Sequence, residues 1–232
     1  MFGNNYSMDG IINYRSASEV NQAMGRVYGY MGLATLISML VSFFVGTNAE
    51  LVKFFFTGVM HYIVIFAPLV AVFGITIALN ANPPKETAIL LLSGFAAIMG
   101  LSFAVIFAVY TMSSIFSAFM GASVLFGTMS FYGYFTKKDL DSLGKFMFVG
   151  LIAIVIASII NIFVGSTLMQ MVISALAIVI FMGLTAYDTQ QIREMVSSDS
   201  SPASEVIGAL TLYLNFINIF LSLLQLFGDK KE

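Results

Sequence analysis

The stretch SEVIGALTLYLNFINIFLSLLQLFG, residues 204–228, decides the fold. Steps of four and three from Ser204 reach Gly208, Thr211, Asn215, Asn218, Ser222 and Gln225. Apart from Glu205 at the start, everything between them is Leu, Ile, Val, Phe, Tyr or Ala. That spacing puts all seven small or polar residues on one helical face. Lipid leaves amides and hydroxyls unpaired, so a helix bathed in it does not keep such a face. This last helix is therefore expected at the centre of a membrane bundle, enclosed by protein or beside a water-filled path. Upstream, in TAYDTQQI, lies Asp188. It reads as the one ionisable residue inside the apolar runs that does not mark an end. Stripe and aspartate together point towards ion movement through a membrane.

Composition agrees. The chain is 59% hydrophobic and 9% charged, whereas soluble domains carry about 25% charged residues. Mean hydropathy is +0.95, as in an integral membrane protein. A net charge of −2 offers no basic face to nucleic acid. The absence of cysteine excludes disulfides, thiolate metal sites and cysteine catalysis. One histidine, His61, cannot form a histidine metal site alone and reads as an interfacial residue. The first 26 residues lack a signal peptide's basic start and apolar core, so the first span is expected to do the targeting.

Crossing ~30 Å of hydrocarbon takes about 20 apolar residues. Seven runs qualify: 27–47, 59–79, 87–110, 114–135, 145–165, 168–189 and 206–227. The expected fold is all-α and polytopic, with seven transmembrane helices. Residues 1–26 form a polar N-terminal segment, 27–228 the transmembrane domain and 229–232 a short charged tail. Tight polar hairpins are expected at Thr111–Ser113 and Gly165–Thr167. With the N-terminus inside, the inner segments hold Arg15, Arg26, Lys85, Lys137, Lys138, Lys145 and Arg193, and the outer ones Lys53, Lys230 and Lys231. Seven against three favours a cytoplasmic N-terminus and a C-terminus outside. Ala96, Gly100, Ala104 and Ala108 in the third span, and Ser113, Ser117 and Gly121 at the fourth, have the four-residue spacing that lets helices approach closely.

A carboxyl group such as Asp188 inside a bundle is a natural proton switch or weak cation ligand. Depth alone does not bring it to Asn215. The apolar run puts Asn215 ~14 Å into the last span and Asp188 only about one turn deep. They come level if the last helix begins before Val206, or if Asp188 sits deeper than its run suggests. A tight calcium site wants about six to eight oxygens, several from carboxylates, and the reading finds only one buried acid. Weak, transient contact of Ca²⁺ with Asp188 suits a leak better than a storage site. Thr211, Asn218, Ser222 and Gln225 are the candidates to line the pathway.

At these residues the chain resembles the Bax inhibitor family, the transmembrane Bax-inhibitor-motif proteins, and looks like a bacterial inner-membrane member. GLTAYDTQQI around Asp188, ALTLYLNFINIFLSLLQLFG at 209–228 and SFYGYFTKKDLDSLG at 130–144 carry the likeness. The resemblance implies seven helices with the last enclosed by the other six. It also implies a pH-sensitive calcium leak gated by two aspartates that share hydrogen bonds, one on each of the last two helices. Asp188 matches the first. Asn215 stands where the second is expected, in LYLNFIN rather than LYLDFIN. Two close carboxylates cannot both ionise cheaply; an Asp–Asn pair lacks that repulsion. Asn215 can donate to an ionised Asp188 or accept from a protonated one, so the pH response is expected to be altered or weakened.

No enzyme is expected. An intramembrane aspartyl protease, which would also carry Tyr–Asp in one helix, needs a second aspartate that the last span lacks. No HExxH motif occurs, and His61 is the sole candidate base for a serine protease. A retinal-type receptor would want a lysine in the last span. The competing reading is a non-transporting regulator that binds another membrane protein, such as a quality-control protease. No cofactor is implied; the partners expected are the bilayer, calcium as the transported ion and, in that competing reading, a protein.

Overall fold

In hydrocarbon a chain satisfies its backbone N–H and C=O groups by forming helices, and every apolar run does so. The computed structural model describes residues 15–231. The rest of the polar segment, 1–14, and Glu232 in the tail lie outside the described residues. Eight helices follow in order: α1 (Ala17–Gly46), α2 (Ala49–Phe55), α3 (Gly58–Asn80), α4 (Lys85–Val109), α5 (Met112–Phe135), α6 (Asp141–Val164), α7 (Thr167–Ser198) and α8 (Pro202–Phe227). All but α2 are long and apolar enough to cross a membrane. The protein is a polytopic, all-α membrane protein.

Two boundaries differ from the sequence expectation in ways that matter. Helix α1 starts at Ala17, ten residues before the apolar run, because Ser16 and Glu19 form a reciprocal capping box. Helix α7 runs on to Ser198, past the end of its apolar run at Thr189. The short helix α2 was not expected; Asn48 caps it by accepting from the backbone of Glu50 and Leu51. The two tight hairpins form as expected. Gly165 closes α6 in the left-handed region, at φ 67°, which only glycine adopts freely.

Helix α8 is the axis of the bundle. Two-thirds of its central stretch is buried, against a third or less in every other span. Five helices line it directly, α1, α3, α4, α5 and α7; α6 packs on the outer side of α7 alone, so five helices rather than the expected six enclose the axis. Tyr213, Leu212, Ile219 and Leu224 of α8 are wholly covered. The α1–α4 interface is built as the small-residue spacing predicts. Ala96, Gly100 and Ala104 are buried, and Ser38 donates to the Ala96 carbonyl at 2.7 Å. Ala108 falls off that face and is exposed. On α5 the packed row is Ser114, Ala118 and Ala122, one residue on from the expected Ser113, Ser117 and Gly121. Adjacent rows of small residues share the same period, so spacing alone does not choose between them.

The tail is part of the fold. Thr111 donates to the Asp229 carbonyl at 3.0 Å and Lys231 to that of Val109 at 2.8 Å. The Asp229 amide donates to Ser114 Oγ at 2.9 Å. Residues 229–231 thus clasp the α4–α5 turn.

Candidate functional site: Asp188 and Asn215

Asn215 Nδ2 donates to Asp188 Oδ2 at 2.6 Å. Both routes to that contact left open by the sequence turn out to operate. Helix α7 continues ~15 Å beyond Asp188, so the aspartate lies deep in the bundle rather than one turn in. Helix α8 starts at Pro202, capped by Ser201 Oγ, which accepts from the Ser204 amide at 3.2 Å. The two antiparallel helices are joined by only 199–201, and this puts the two side chains level. Asn215 is buried, at 5% exposure, while Asp188 is only partly covered.

The residues around Asp188 fix it in place. The next hydroxyl, Thr189, is bonded to Ser130 of α5 at 3.1 Å, and Ser130 to Tyr28 of α1 at 2.5 Å. Gln190 donates to the Lys138 carbonyl at 2.9 Å and accepts from the Leu140 amide at 3.0 Å. Gln191 donates to Asp141 at 2.9 Å. Each residue of the DTQQ run therefore grips a different neighbour. Two glycines make this possible. At Gly133 of α5 a Cβ would run into the backbone of Ala186, and at Gly144 of α6 it would lie 2.5 Å from the Tyr187 ring. The stretch 130–144 and the stretch around Asp188 are thus two halves of one packed unit.

The remaining stripe residues do not converge on Asp188. Thr211 donates to the Ile207 carbonyl at 3.1 Å and Asn218 to that of Leu214 at 2.8 Å, both within α8. Ser222 is buried. Gln225 Oε1 accepts from Gln170 at 2.9 Å and from Ser174 at 3.1 Å, both on α7. Gln170 in turn accepts from Asn161 of α6 at 3.2 Å. That cluster ties three helices together at the far end, ~15 Å of helix from Asn215.

One expectation is corrected. Asp188 is not the only buried acid: Glu205 is 4% exposed. Arg26 meets it through two bonds, Nε to Oε2 at 2.7 Å and Nη2 to Oε1 at 2.6 Å. Arg15 Nη2 reaches Oε1 at 3.2 Å and also donates to the Ser200 carbonyl at 3.1 Å. As the first-turn acid of α8, Glu205 reads in sequence as a hydrated helix start. Arg15 and Arg26, both ahead of the first apolar run, were the available signal. A second connection was also missed: Tyr213 Oη of α8 is bonded to Ser38 of α1 at 2.7 Å.

The family described as "Inhibitor of apoptosis-promoting Bax1" matches residues 20–232 of this chain. The chain is 36% identical over 217 residues to the inner membrane protein YbhL of Escherichia coli K12, covering 90% of this chain and 92% of that protein. It is 35% identical to an uncharacterized protein of Rickettsia prowazekii, with 90% of each chain covered. It is 34% identical to an uncharacterized membrane protein of Streptococcus pyogenes serotype M3, over 95% of this chain and 98% of that one. These matches agree with the motifs around Asp188 and Asn215, and the chain belongs to the Bax inhibitor family.

Proposed function

We propose that this protein is a pH-sensitive cation leak of the inner membrane, with calcium as its ion, gated where Asp188 meets Asn215. The observation that carries the reading is the 2.6 Å hydrogen bond by which Asn215, on the central helix of a membrane bundle, holds the carboxyl group of Asp188 on α7. A carboxylate there accepts from the asparagine amide; a protonated carboxyl can donate to the amide oxygen instead. Exchanging these partners rotates the Asn215 amide and changes how α7 holds α8. Thr211, Asn218, Ser222 and Gln225 line the proposed route along α8, and Asp188 gives weak, passing contact to the cation. The inner-membrane setting draws on the name of the YbhL relative, and the N-terminus is taken as cytoplasmic from the lysine and arginine bias.

The test is calcium flux into sealed proteoliposomes from about pH 5 to 8. The expected result is flux that varies with pH, a flat profile for Asp188→Ala, and a displaced curve for Asn215→Asp. An Asn215→Asp curve that superimposes on the parent's would remove Asn215 from the gate.

A second reading has its own support. The amide of Gln225 is bonded to α7, and the Asn218 amide and Thr211 hydroxyl turn back on their own helix. The bonds of Asn215 and Gln225 to α7 also serve as interhelical glue, at ~0.6 kcal/mol per bond. Such an arrangement suits a non-transporting regulator that binds another membrane protein. Absence of flux at every pH, together with a stoichiometric partner on purification, would favour that reading.

A further inference from the structure

We propose that the groove between α1 and α5 is a binding site for one anionic phospholipid, with its headgroup held at Lys137 and Lys138. Although α1 and α5 both pack on α8, their own Cα atoms nowhere come within 8 Å of each other. They are joined near their ends by side chains alone, Tyr28 to Ser130 and Asn21 to Tyr134. Outside those bridges runs a chain of hollows. The first, about 460 Å³, lies over Gly25, Tyr28, Gly127 and Ser130. The next, about 360 Å³, shares Tyr28 and Phe126 with it and continues past Gly32 to Phe216 of α8. Their linings are almost wholly apolar. The groove is narrow-walled and open above three glycines: a Cβ placed on Gly25, Gly32 or Gly127 meets no atom within 4 Å. One leaflet's acyl chain reaches ~15 Å, half the hydrocarbon thickness. That is about the length of helix from Asn21 to Met31.

What selects the occupant is charge. Asn21 belongs both to the first hollow and to a polar basin of about 910 Å³ at the same end of the bundle. The basin holds Arg15, Lys137, Lys138 and Arg193 against Asp139 and Glu194. Arg15 is committed to Glu205, and Arg193 lies over the Tyr134 ring, 5.0 Å from its centroid. Lys137 and Lys138 are exposed, and neither pairs with a carboxylate among the described residues. A basic basin opening into an apolar groove at the membrane surface matches a phosphate on two acyl chains. A zwitterionic lipid fits the groove equally and the basin less well.

The chain contains no tryptophan, so one introduced on the groove wall reports alone. The exposed Phe131 is the position. The full chain carrying Phe131→Trp is placed in phosphatidylcholine vesicles, and dibromo-acyl phosphatidylglycerol or dibromo-acyl phosphatidylcholine is titrated in. Quenching is expected to saturate at a several-fold lower mole fraction of the anionic lipid. Adding Lys137→Gln and Lys138→Gln should abolish that preference. Adding Gly127→Phe, which fills the groove where nothing is in the way, should lower quenching by both lipids; Gly32→Leu is the second variant if that one does not fold. Removing residues 1–14 should leave the preference unchanged. Equal quenching by the two lipids overturns the proposal. So does a preference that survives the lysine changes, or one that appears only after residues 1–14 are removed, which would assign the groove to that segment. Absence of quenching by either lipid overturns it too, in favour of a second copy of the chain.

Discussion

At the residue scale, the contact between Asp188 and Asn215 was legible as a pair of candidates but not as a pair in contact. The apolar run ends at Thr189, and hydropathy cannot tell a helix that stops there from one that continues in polar residues. The continuation is written in Gln190, Gln191 and Arg193, each of which bonds to the α5–α6 region. Those are tertiary contacts, and no single-helix pattern contains them. Glu205 shows the same limit: its charge is visible in sequence, its burial is not. The ion cluster also yields a prediction. Arg26 and Arg15 compensate one buried carboxylate, and taking away both leaves it unpaired. Breaking a buried pair in this way costs about 3–5 kcal/mol. Arg15→Ala with Arg26→Ala is expected to lose about 3 kcal/mol or more in an SDS-titration unfolding experiment. Arg15→Ala alone loses far less, because the two-bond Arg26 contact survives. Equal losses from the single and double variants would show that Arg15 alone holds the carboxylate.

At the scale of elements, the seven spans and both tight hairpins follow from hydropathy and from glycine and hydroxyl residues at the turns. The short helix α2 does not, since seven residues carry too little periodicity to separate from a loop. Nor did sequence choose between the two small-residue rows of α5. The helix contacts that position Asp188 depend on two glycines seated against α7, and this makes them sensitive points. Gly133→Val forces α5 away from the Ala186 backbone, where no rotamer change gives relief. Overpacking of this kind costs about 1–3 kcal/mol. The expected readout is a lowered unfolding midpoint in detergent. Amide exchange should also rise across residues 136–141, whose hydrogen bonds to α7, among the described residues, are made by Gln190 and Gln191. A wild-type midpoint with wild-type exchange would mean that α5 can shift without disturbing the aspartate's setting.

For the whole molecule, orientation is the property that most affects the functional reading, because it decides which compartment's pH reaches Asp188. The absence of cysteine makes it directly measurable. In intact cells a membrane-impermeant maleimide is expected to label K230C and to spare K138C until the membrane is opened; the reverse pattern would invert the topology and the direction of the proposed leak. The general architecture, a last helix inside the others, was legible from the polar stripe, because only an enclosed helix keeps seven such residues in line. The sequence did not tell which neighbours enclose it, nor that α1 and α5 stand apart. The position of α8 has a further consequence, in the order of synthesis. Chains emerge N-terminus first, at about 5–20 residues per second. Every span that surrounds α8 has therefore left the ribosome before α8 does. The five helices that line it enter the membrane with their inward faces, Ser38, Phe95 and Phe126 among them, still lacking the α8 side chains they meet, Tyr213 and Phe216. The bundle cannot close around its axis until α8 arrives. Completion of the fold is thus tied to the emergence of α8, and a chain released before it is left as a ring without a centre.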